Sequence, residues 1–173
     1  MRKLRYNVAV SLDGFIATPN GGYDWIVDEP GIDFTALFAE FDLFVMGRKT
    51  YEVMLSQGVN DPTIDKQVVV ASRTLISTGR PNVTIIRDDV AKLVAEFKSQ
   101  QGKDIWLFGG GQLARQLLDA RLVDNIEVGI MPVLLSEGIP LLPVGHRVRL
   151  KLNSSKSYPS GIMMLNYSVD YGS

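Results

Sequence analysis

The sequence predicts an α/β fold in which a mixed, mostly parallel sheet is covered by helices on both faces. Short apolar runs alternate with segments of helical periodicity along most of the 173 residues. The tail, from residue 148 to residue 171, alternates apolar and polar residues on both sides of a turn at 159–161, which is typical of an antiparallel strand pair. The chain shows no internal repeat, and we expect one domain spanning residues 1–173.

Composition limits the chemistry that the chain can perform. There is no cysteine and only one histidine, which excludes disulfides, thiolate nucleophiles, cysteine-bound zinc and sites made of several histidines, so we expect no metal. A net charge of −1 gives no general attraction to nucleic acid or to an anionic membrane. No apolar run is long enough for a signal peptide or a membrane span, and we expect a cytoplasmic protein.

The first part of the chain reads as a strand, a loop and a helix. The predicted strand covers residues 4–17 and bends or stops at residues 13–14. A glycine-rich loop with Tyr23 and Trp25 follows, and it is either a mobile lid or a plain surface loop. Asp33 then occupies the N-cap position of an amphipathic helix. The apolar face of this helix is formed by Phe34, Leu37, Phe38 and Phe41.

The remaining elements alternate between buried strands and helices. The predicted strands are residues 43–46, 67–71, 83–86, 105–108 and 125–130. One helix opens at Gly47, and a second has Asp88 as its N-cap and Gly102 just past its end. A third helix follows Gly111. Trp106 is expected to pack in or beside its strand.

Three of these strands end in residues suited to binding anions. The ends are Gly47, Arg48, Lys49 and Thr50 for the first, Ser72 and Arg73 for the second, and Gly109, Gly110 and Gly111 for the third. Carboxyl ends of parallel strands meet at one edge of a sheet, so we expect one groove. Glycines expose backbone N–H groups at a helix N-terminus, where the dipole favours phosphate. Each end alone would be an ordinary turn, but a dinucleotide with a pyrophosphate and a 2′-phosphate would use all three.

The glycines also match the dinucleotide-binding pattern of a Rossmann fold, through Gly109, Gly111 and Ala114. That pattern normally lies on the first strand-to-helix turn, and the next strand ends in an acidic residue. In this chain the glycines come late, and Asp124 and Glu127 lie at the start and middle of the next strand. We therefore reject the Rossmann interpretation.

Three motifs resemble the signatures of the dihydrofolate reductase fold: Ser-Leu-Asp-Gly-Phe-Ile-Ala at 11–17, Met-Gly-Arg-Lys-Thr-Tyr-Glu at 46–52 and Phe-Gly-Gly-Gly at 108–111. The chain is most similar to the reductase domain of the bifunctional riboflavin-biosynthesis deaminase/reductase and its stand-alone bacterial relatives. This resemblance implies a dihydrofolate reductase-like three-layer fold with about eight strands. It also implies NADPH as the hydride donor and a homodimer.

The resemblance also assigns residues to the cofactor. Gly47, Arg48, Lys49 and Thr50 would contact its phosphates, and Ser72 and Arg73 its 2′-phosphate. The pyrophosphate would lie on Gly110, Gly111, Gln112 and Leu113, while Ala9 and Ile16 would border the nicotinamide. Gln112 stands where many dihydrofolate reductases have a basic residue.

The resemblance places the substrate pocket between the loop at 11–25 and the helix after Asp33, with Trp25, Asp33 and Leu37 in it. Asp33 is the nearest counterpart of the acid that delivers a proton in dihydrofolate reductases, but it could be an N-cap only. The segment at 131–138 resembles the riboflavin-type branch, and a deaminase zinc motif cannot exist without cysteine. We expect an NADPH-dependent reductase of a small nitrogen heterocycle or a ribosylamino-pyrimidine. The alternatives are an authentic dihydrofolate reductase and a non-catalytic NADP-binding protein.

Overall fold

A computed structural model describes residues 1–56 and 61–172 and contains ten strands in that part of the chain. The strands are β1 (Leu4–Ser11), β2 (Phe15–Ala17), β3 (Phe41–Gly47), β4 (Gln67–Ala71), β5 (Val83–Ile86), β6 (Asp104–Gly109), β7 (Asn125–Met131), β8 (Ile139–Pro140), β9 (Arg149–Ser157) and β10 (Met163–Asp170). Eight of them form one sheet in the order β5-β4-β3-β6-β1-β7-β10-β9, and β2 pairs with β8 in a small second sheet.

The main sheet is parallel from β5 to β7 and antiparallel at its end. β1 pairs in parallel with β6 and β7, β3 with β4 and β6, and β4 with β5. β10 runs antiparallel to both β7 and β9. This confirms the predicted mixed sheet with an antiparallel end. It also brings the carboxyl ends of the six parallel strands to one edge.

Helices cover both faces of the sheet, as predicted. They are α1 (Phe34–Ala39), α2 (Arg48–Ser56), α3 (Val90–Ser99) and α4 (Gly111–Asp119). Successive residues of β3 point to opposite faces, so Leu43 packs in a cluster with Val94 of α3 and Leu117 of α4. The next residue, Phe44, packs in a second cluster with Tyr51 of α2. The sheet is therefore the middle of three layers.

Several local predictions are confirmed. Asp33 is the N-cap of α1, and its Oδ1 accepts a hydrogen bond from the Ala36 N–H at 2.9 Å. β1 stops at Ser11, and the chain resumes as β2 after Gly14, which has a φ of 91°. Gly161, with a φ of 90°, closes the turn between β9 and β10. None of the described helices is long and apolar enough to cross a bilayer.

Two predictions at element boundaries are wrong. Phe41 does not belong to the apolar face of α1, because that helix ends at Ala39 and the Asp104 N–H bonds to the Glu40 carbonyl, which draws the chain into the sheet. The N-cap of α3 is Asp89 rather than Asp88. Asp89 has a φ of 42° and accepts from the Lys92 N–H at 3.1 Å, and aspartate tolerates this left-handed conformation better than most residues.

Replacing Phe44 with Ala should lower the free energy of unfolding by about 3–5 kcal/mol. The side chain is fully buried, and its ring lies 5.4 Å from that of Trp106 and 5.6 Å from that of Phe108. Urea denaturation checks this, with Ile76→Ala as the control, because Ile76 is 85% exposed and should change stability by less than about 0.5 kcal/mol. A similar loss in both variants would contradict the described core.

Candidate functional site

The three predicted anion-binding strand ends lie next to one another. Gly47 at the end of β3 pairs with Ala71 of β4, and the preceding Met46 pairs with Gly109 of β6. The segments that begin with Arg48, Ser72 and Gly110 therefore leave the sheet side by side at its carboxyl edge. This is the arrangement that the sequence predicted.

The glycine turn is closely packed on two sides. A Cβ atom on Gly109 would lie 3.4 Å from the Thr50 Oγ1, and one on Gly110 would lie 3.6 Å from it. A Cβ on Gly111 would lie 3.0 Å from the carbonyl oxygens of Pro140 and Leu141. Gly109 also has a φ of 138°, and the peptide bond that follows it is cis. The turn therefore joins the first turn of α2 to the β8 segment, and at Gly109 its backbone favours glycine.

The N-terminus of α4 has open backbone donors. Gly110 is its N-cap and provides no side-chain hydrogen bond, so the first N–H groups of the helix lack a capping acceptor. Leu113 is buried in the core cluster, so only its backbone can contribute to the groove, whereas Gln112 is exposed. This helix start has the features of a phosphate site.

A cavity of about 290 Å³ lies at the carboxyl ends of β4 and β5. Ser72, Arg73, Arg87 and Gln116 of α4 contribute to its lining, together with Asp88 and Asp89. The Ser72 hydroxyl accepts from the Leu75 N–H at 2.9 Å, which leaves its own O–H able to donate. Both arginines are exposed, and neither forms an ion pair with a described residue. The cavity can therefore accept an anionic group.

The remaining predicted phosphate contacts lie on the first turn of α2. Arg48 forms an ion pair with Glu52 at 2.7 Å, and 39% of the Arg48 side chain is exposed. An exposed pair of this kind is weak, so a phosphate can replace the carboxylate. Lys49 is exposed, and a Cβ atom on Gly47 would meet no other atom within 4 Å. All of these groups can reach a ligand without disturbing the core.

The sheet opens between β1 and β6. Their ladder ends where Tyr6 pairs with Leu107, but β1 continues beside β7 as far as Ser11. The Lys3 carbonyl bonds to β6, so odd-numbered residues of β1 direct their backbone groups to that side. β6 therefore offers no ladder partner to Ala9, the residue predicted to border the nicotinamide. Ile16, the other predicted border residue, lies in β2 and packs against the core.

The three residues predicted for the substrate pocket also have structural contacts. The Trp25 indole N–H donates to the Gly22 carbonyl at 3.2 Å, and Leu37 packs against the second core cluster. Asp33 is exposed at the start of α1. Their roles towards a substrate stay predictions.

The loop between β2 and α1 is fastened at its far end. The Glu29 carboxylate accepts hydrogen bonds from the Gly31 N–H at 2.8 Å and from the Ser160 N–H at 3.2 Å, in the turn between β9 and β10. The neighbouring Ser160 hydroxyl and the Gly31 amide lower the pKa of Glu29. These contacts favour an anchored loop over a freely moving lid.

Asp13 joins the β1–β2 turn to the segment after β7. Its carboxylate accepts from the Ser11 hydroxyl at 2.7 Å, the Leu135 N–H at 3.1 Å and the Ser136 N–H at 2.7 Å. The Ser11 hydroxyl has the largest effect and lowers the pKa of Asp13; burial opposes it, and the Leu135 and Ser136 amides lower the pKa further. The sequence indicated only a turn here, because the partners lie 122 and 123 residues away.

The sequence matches a known protein family over most of its length. The model of the RibD C-terminal domain matches residues 2–164. The chain belongs to this family. YyaP of Bacillus subtilis (strain 168), an uncharacterized protein, is 32% identical in an alignment of 179 positions that covers 96% of this chain and 94% of YyaP. RibD of Corynebacterium ammoniagenes is 26% identical in an alignment of 148 positions that covers 78% of this chain but 44% of that protein.

Solved structures agree with the RibD C-terminal domain assignment. A protein from Shewanella sp. PV-4 with a provisional riboflavin-biosynthesis assignment has a TM-score of 0.83 at 25% identity, covering 98% of this chain and 99% of its own. The deaminase/5-amino-6-(5-phosphoribosylamino)uracil reductase of Thermotoga maritima has a TM-score of 0.74 at 12% identity, over 98% of this chain and 57% of its own. The second likeness shows the fold alone. Together they confirm the expected dihydrofolate reductase-like, riboflavin-type fold.

Sequence reasoning missed Arg87 in this RibD C-terminal domain. The residue directly follows Ile86, the last residue of β5, so it obeys the same rule that identified Arg48 and Arg73. A basic residue at the end of a predicted parallel strand was the available signal. Among the described residues, no group of three or more His, Asp or Glu side chains could hold a metal ion.

Replacing Asp13 with Ala should increase amide hydrogen exchange at Leu135 and Ser136 at pH 7, measured by NMR. Because the folded-state pKa of Asp13 is lowered, its stabilising contribution is complete above the ordinary carboxyl pKa of about 3.9 and is lost as the pH falls through the lowered value. Asp170→Ala is the control, since the one described group that donates to this carboxylate is the nearby Gly172 N–H. Unchanged exchange at both amides would show that Asp13 does not hold this segment.

Proposed function

We propose that the protein is an NADPH-dependent reductase. Its proposed substrate is a ribosylamino-pyrimidine, 5-amino-6-(5-phosphoribosylamino)uracil, or a related small nitrogen heterocycle. The observation that carries the proposal is the row of adjacent strand ends at the carboxyl edge of the sheet. The cavity that contains Arg73 and Arg87 lies at one end of this row, the uncapped start of α4 in the middle and the opened β1–β6 edge at the other end. Membership of the RibD C-terminal domain family supports a pyrimidine reductase over other uses of this fold.

The residues of the groove fit the chemical groups of NADPH. The open N–H groups at the start of α4 and the Thr50 hydroxyl would bind the pyrophosphate. Arg73, Arg87 and the Ser72 hydroxyl would bind the 2′-phosphate, which matches their place in one cavity. The free backbone edge of Ala9 would orient the nicotinamide carboxamide. NADPH, when bound, supplies the hydride, and the protein positions the reactants and excludes water.

The charge distribution supports a phosphate-bearing ligand in spite of the overall charge of −1. The groove has Arg48 and Lys49 after β3, Arg73 after β4 and Arg87 after β5. Cations collected at one edge act locally, because exposed charges farther away than about 10 Å are largely screened at ordinary salt. Selectivity for NADPH over NADH would then depend on Arg73 and Arg87.

Replacing Arg73 or Arg87 with Ala should weaken NADPH binding by about 1–3 kcal/mol, because each variant removes a charge-assisted hydrogen bond to the 2′-phosphate. NADH binding should change little. Isothermal titration calorimetry measures both, with Lys92→Ala as the control, because Lys92 is an exposed residue of α3. Equal losses for the two cofactors would show that the arginines do not contact the 2′-phosphate.

Replacing Asp33 with Asn should lower kcat by about 100-fold if its carboxyl group delivers a proton, while stability stays within about 0.5 kcal/mol because Asn is an equally good N-cap. Asp170→Asn in β10 is the control and should leave kcat unchanged, because this exposed carboxylate lies outside the proposed cofactor and substrate sites. Unchanged turnover of the Asp33 variant would limit this residue to capping α1.

A screen of NADPH oxidation tests the substrate proposal. It includes 5-amino-6-(5-phosphoribosylamino)uracil and dihydrofolate, and we expect turnover with the pyrimidine. Turnover with dihydrofolate alone would identify a dihydrofolate reductase. NADPH binding without oxidation by any acceptor would instead support a non-catalytic NADP-binding protein.

A further inference from the structure

A row of polar side chains crosses strands β1, β7 and β10, two residues before Ala9 in β1. Asn7 of β1 pairs with Glu127 of β7, and Glu127 pairs with Asn166 of β10. Glu127 is 5% exposed, and its two oxygens accept four hydrogen bonds. The donors are Arg5 Nε at 2.7 Å, Arg5 Nη2 at 2.9 Å, Asn7 Nδ2 at 2.8 Å and Asn166 Nδ2 at 2.9 Å. With these acceptor sites occupied, Glu127 is unsuited to act as a base.

Arg5, in the neighbouring strand β1, holds Glu127 in place. Its guanidinium also donates to Glu40 and lies 4.5 Å from the centre of the Phe41 ring. Burial alone would lower the pKa of Arg5, but the hydrogen bonds to Glu127 and Glu40 raise it above its usual value. Arg5 therefore stays charged and fixes the position of the Glu127 carboxylate, which in turn orients the side chains that donate to it.

Glu127 determines the orientation of the Asn7 side chain. A carboxylate can only accept, so the amide group of Asn7 must direct its NH₂ to Glu127 and its Oδ1 away from it. No described residue donates a hydrogen bond to this oxygen, and it is not among the buried unpaired polar atoms of the described chain. Asn7 thus holds an oriented acceptor that no described residue uses.

A row of aromatic rings passes beside Asn7. It starts at Phe34, which is 48% exposed at the beginning of α1, and continues to Phe38 at 6.1 Å between ring centres. Phe38 lies 5.3 Å from Trp106, whose indole N–H donates to the Asn7 carbonyl at 3.0 Å. Trp106 in turn lies 5.5 Å from Phe108, next to the glycine turn. Trp106 itself is buried, whereas Phe34 is exposed and Phe38 and Phe108 are half-buried. Partly exposed rings near a single oriented acceptor suit a planar heterocycle.

We infer that Asn7 is a specificity-determining residue whose side-chain oxygen accepts a hydrogen bond from a ring N–H or an amino group of a planar heterocyclic substrate. Glu127 and Arg5 are positioning residues that act through Asn7. This inference rests on the proposed reductase function and adds to it the kind of ring edge that the site selects. A ring that offers an N–H donor binds, and one in which that nitrogen is methylated loses the contact.

The test compares 5-amino-6-(5-phosphoribosylamino)uracil with its ring-N-methylated analogues. Calorimetry in the presence of NADP⁺ gives the Kd of each compound, and steady-state kinetics gives KM. In wild-type protein, one methylated analogue should bind about tenfold more weakly, the usual effect of losing one hydrogen bond to a buried partner. In Asn7→Ala the parent compound should show the same loss, methylation should have no further effect, and the Kd of NADPH should not change.

Two further variants separate recognition from a general loss of structure. Asn7→Ser keeps a donor for Glu127 but removes the amide oxygen, so it should show the same binding loss. It replaces Asn7→Ala in the test where that variant folds poorly. Asn153→Ala removes an exposed amide that bonds to Asn166 from the edge strand, and it should bind both compounds like wild type. In Glu127→Gln the Asn7 amide is free to turn over, so the difference between parent and methylated compound should shrink.

The outcomes distinguish this inference from the proposed function. If wild type binds the pyrimidine and Asn7→Ala and Asn7→Ser bind it equally well, Asn7 does not recognise the substrate, although the reductase proposal stands. If wild type binds NADPH but not the pyrimidine, the assignment of this ring edge is wrong. If NADPH itself does not bind, the proposed function fails first.

Discussion

The separation of β1 from β6 is the feature on which the candidate site depends. Adjacent strands normally satisfy each other's backbone groups, and leaving such groups unpaired inside a sheet is costly. Here the ladder ends at Tyr6 and Leu107. The Trp106 indole N–H donates to the Asn7 carbonyl, and the backbone edge of Ala9 has no ladder partner in β6. The fold thus keeps most of its hydrogen bonds and still opens the centre of its sheet.

A bulge in β6 accompanies this separation. Val45 pairs with Leu107 and the next residue, Met46, pairs with Gly109, so Phe108 is an extra residue on the β6 side. The shift directs the chain into the glycine turn, where Thr50 lies on one side and the carbonyls of Pro140 and Leu141 on the other. The start of α4 is therefore positioned by contacts with both α2 and the β8 segment. The start of α4 and the opened edge of β1 are linked through this one turn.

Local patterns predicted the elements well and the polar contacts poorly. β4 and β5 have the predicted bounds, because each is a short apolar run between turn residues. The errors at Phe41 and Asp88 concern single positions at helix ends, where neighbouring strands decide the boundary. β8 was not predicted, since two residues give no periodic signal.

The candidate site shows the same difference between contacts that local patterns predict and contacts that they do not. Arg48, Arg73 and the glycines follow predicted strands, so sequence order and the rule for parallel sheets were enough to bring them together. Asn7 and Glu127 are 120 residues apart, and Arg5 and Glu127 are 122 apart. Each looks like an ordinary polar residue in a strand until the register of β1 with β7 is known. Such pairs need the three-dimensional structure.

The hydrogen bonds of the carboxylates indicate which of them remain available for chemistry. Glu127 accepts four hydrogen bonds, and both oxygens of Asp13 and of Glu29 accept from backbone N–H groups. Asp33 differs, because its Oδ1 caps α1 while its Oδ2 accepts no hydrogen bond from a described residue. A carboxyl group that delivers a proton needs an oxygen that can reach the substrate. Among these four carboxylates Asp33 alone keeps an oxygen that accepts no hydrogen bond from a described residue, and it does so without giving up its structural role in α1.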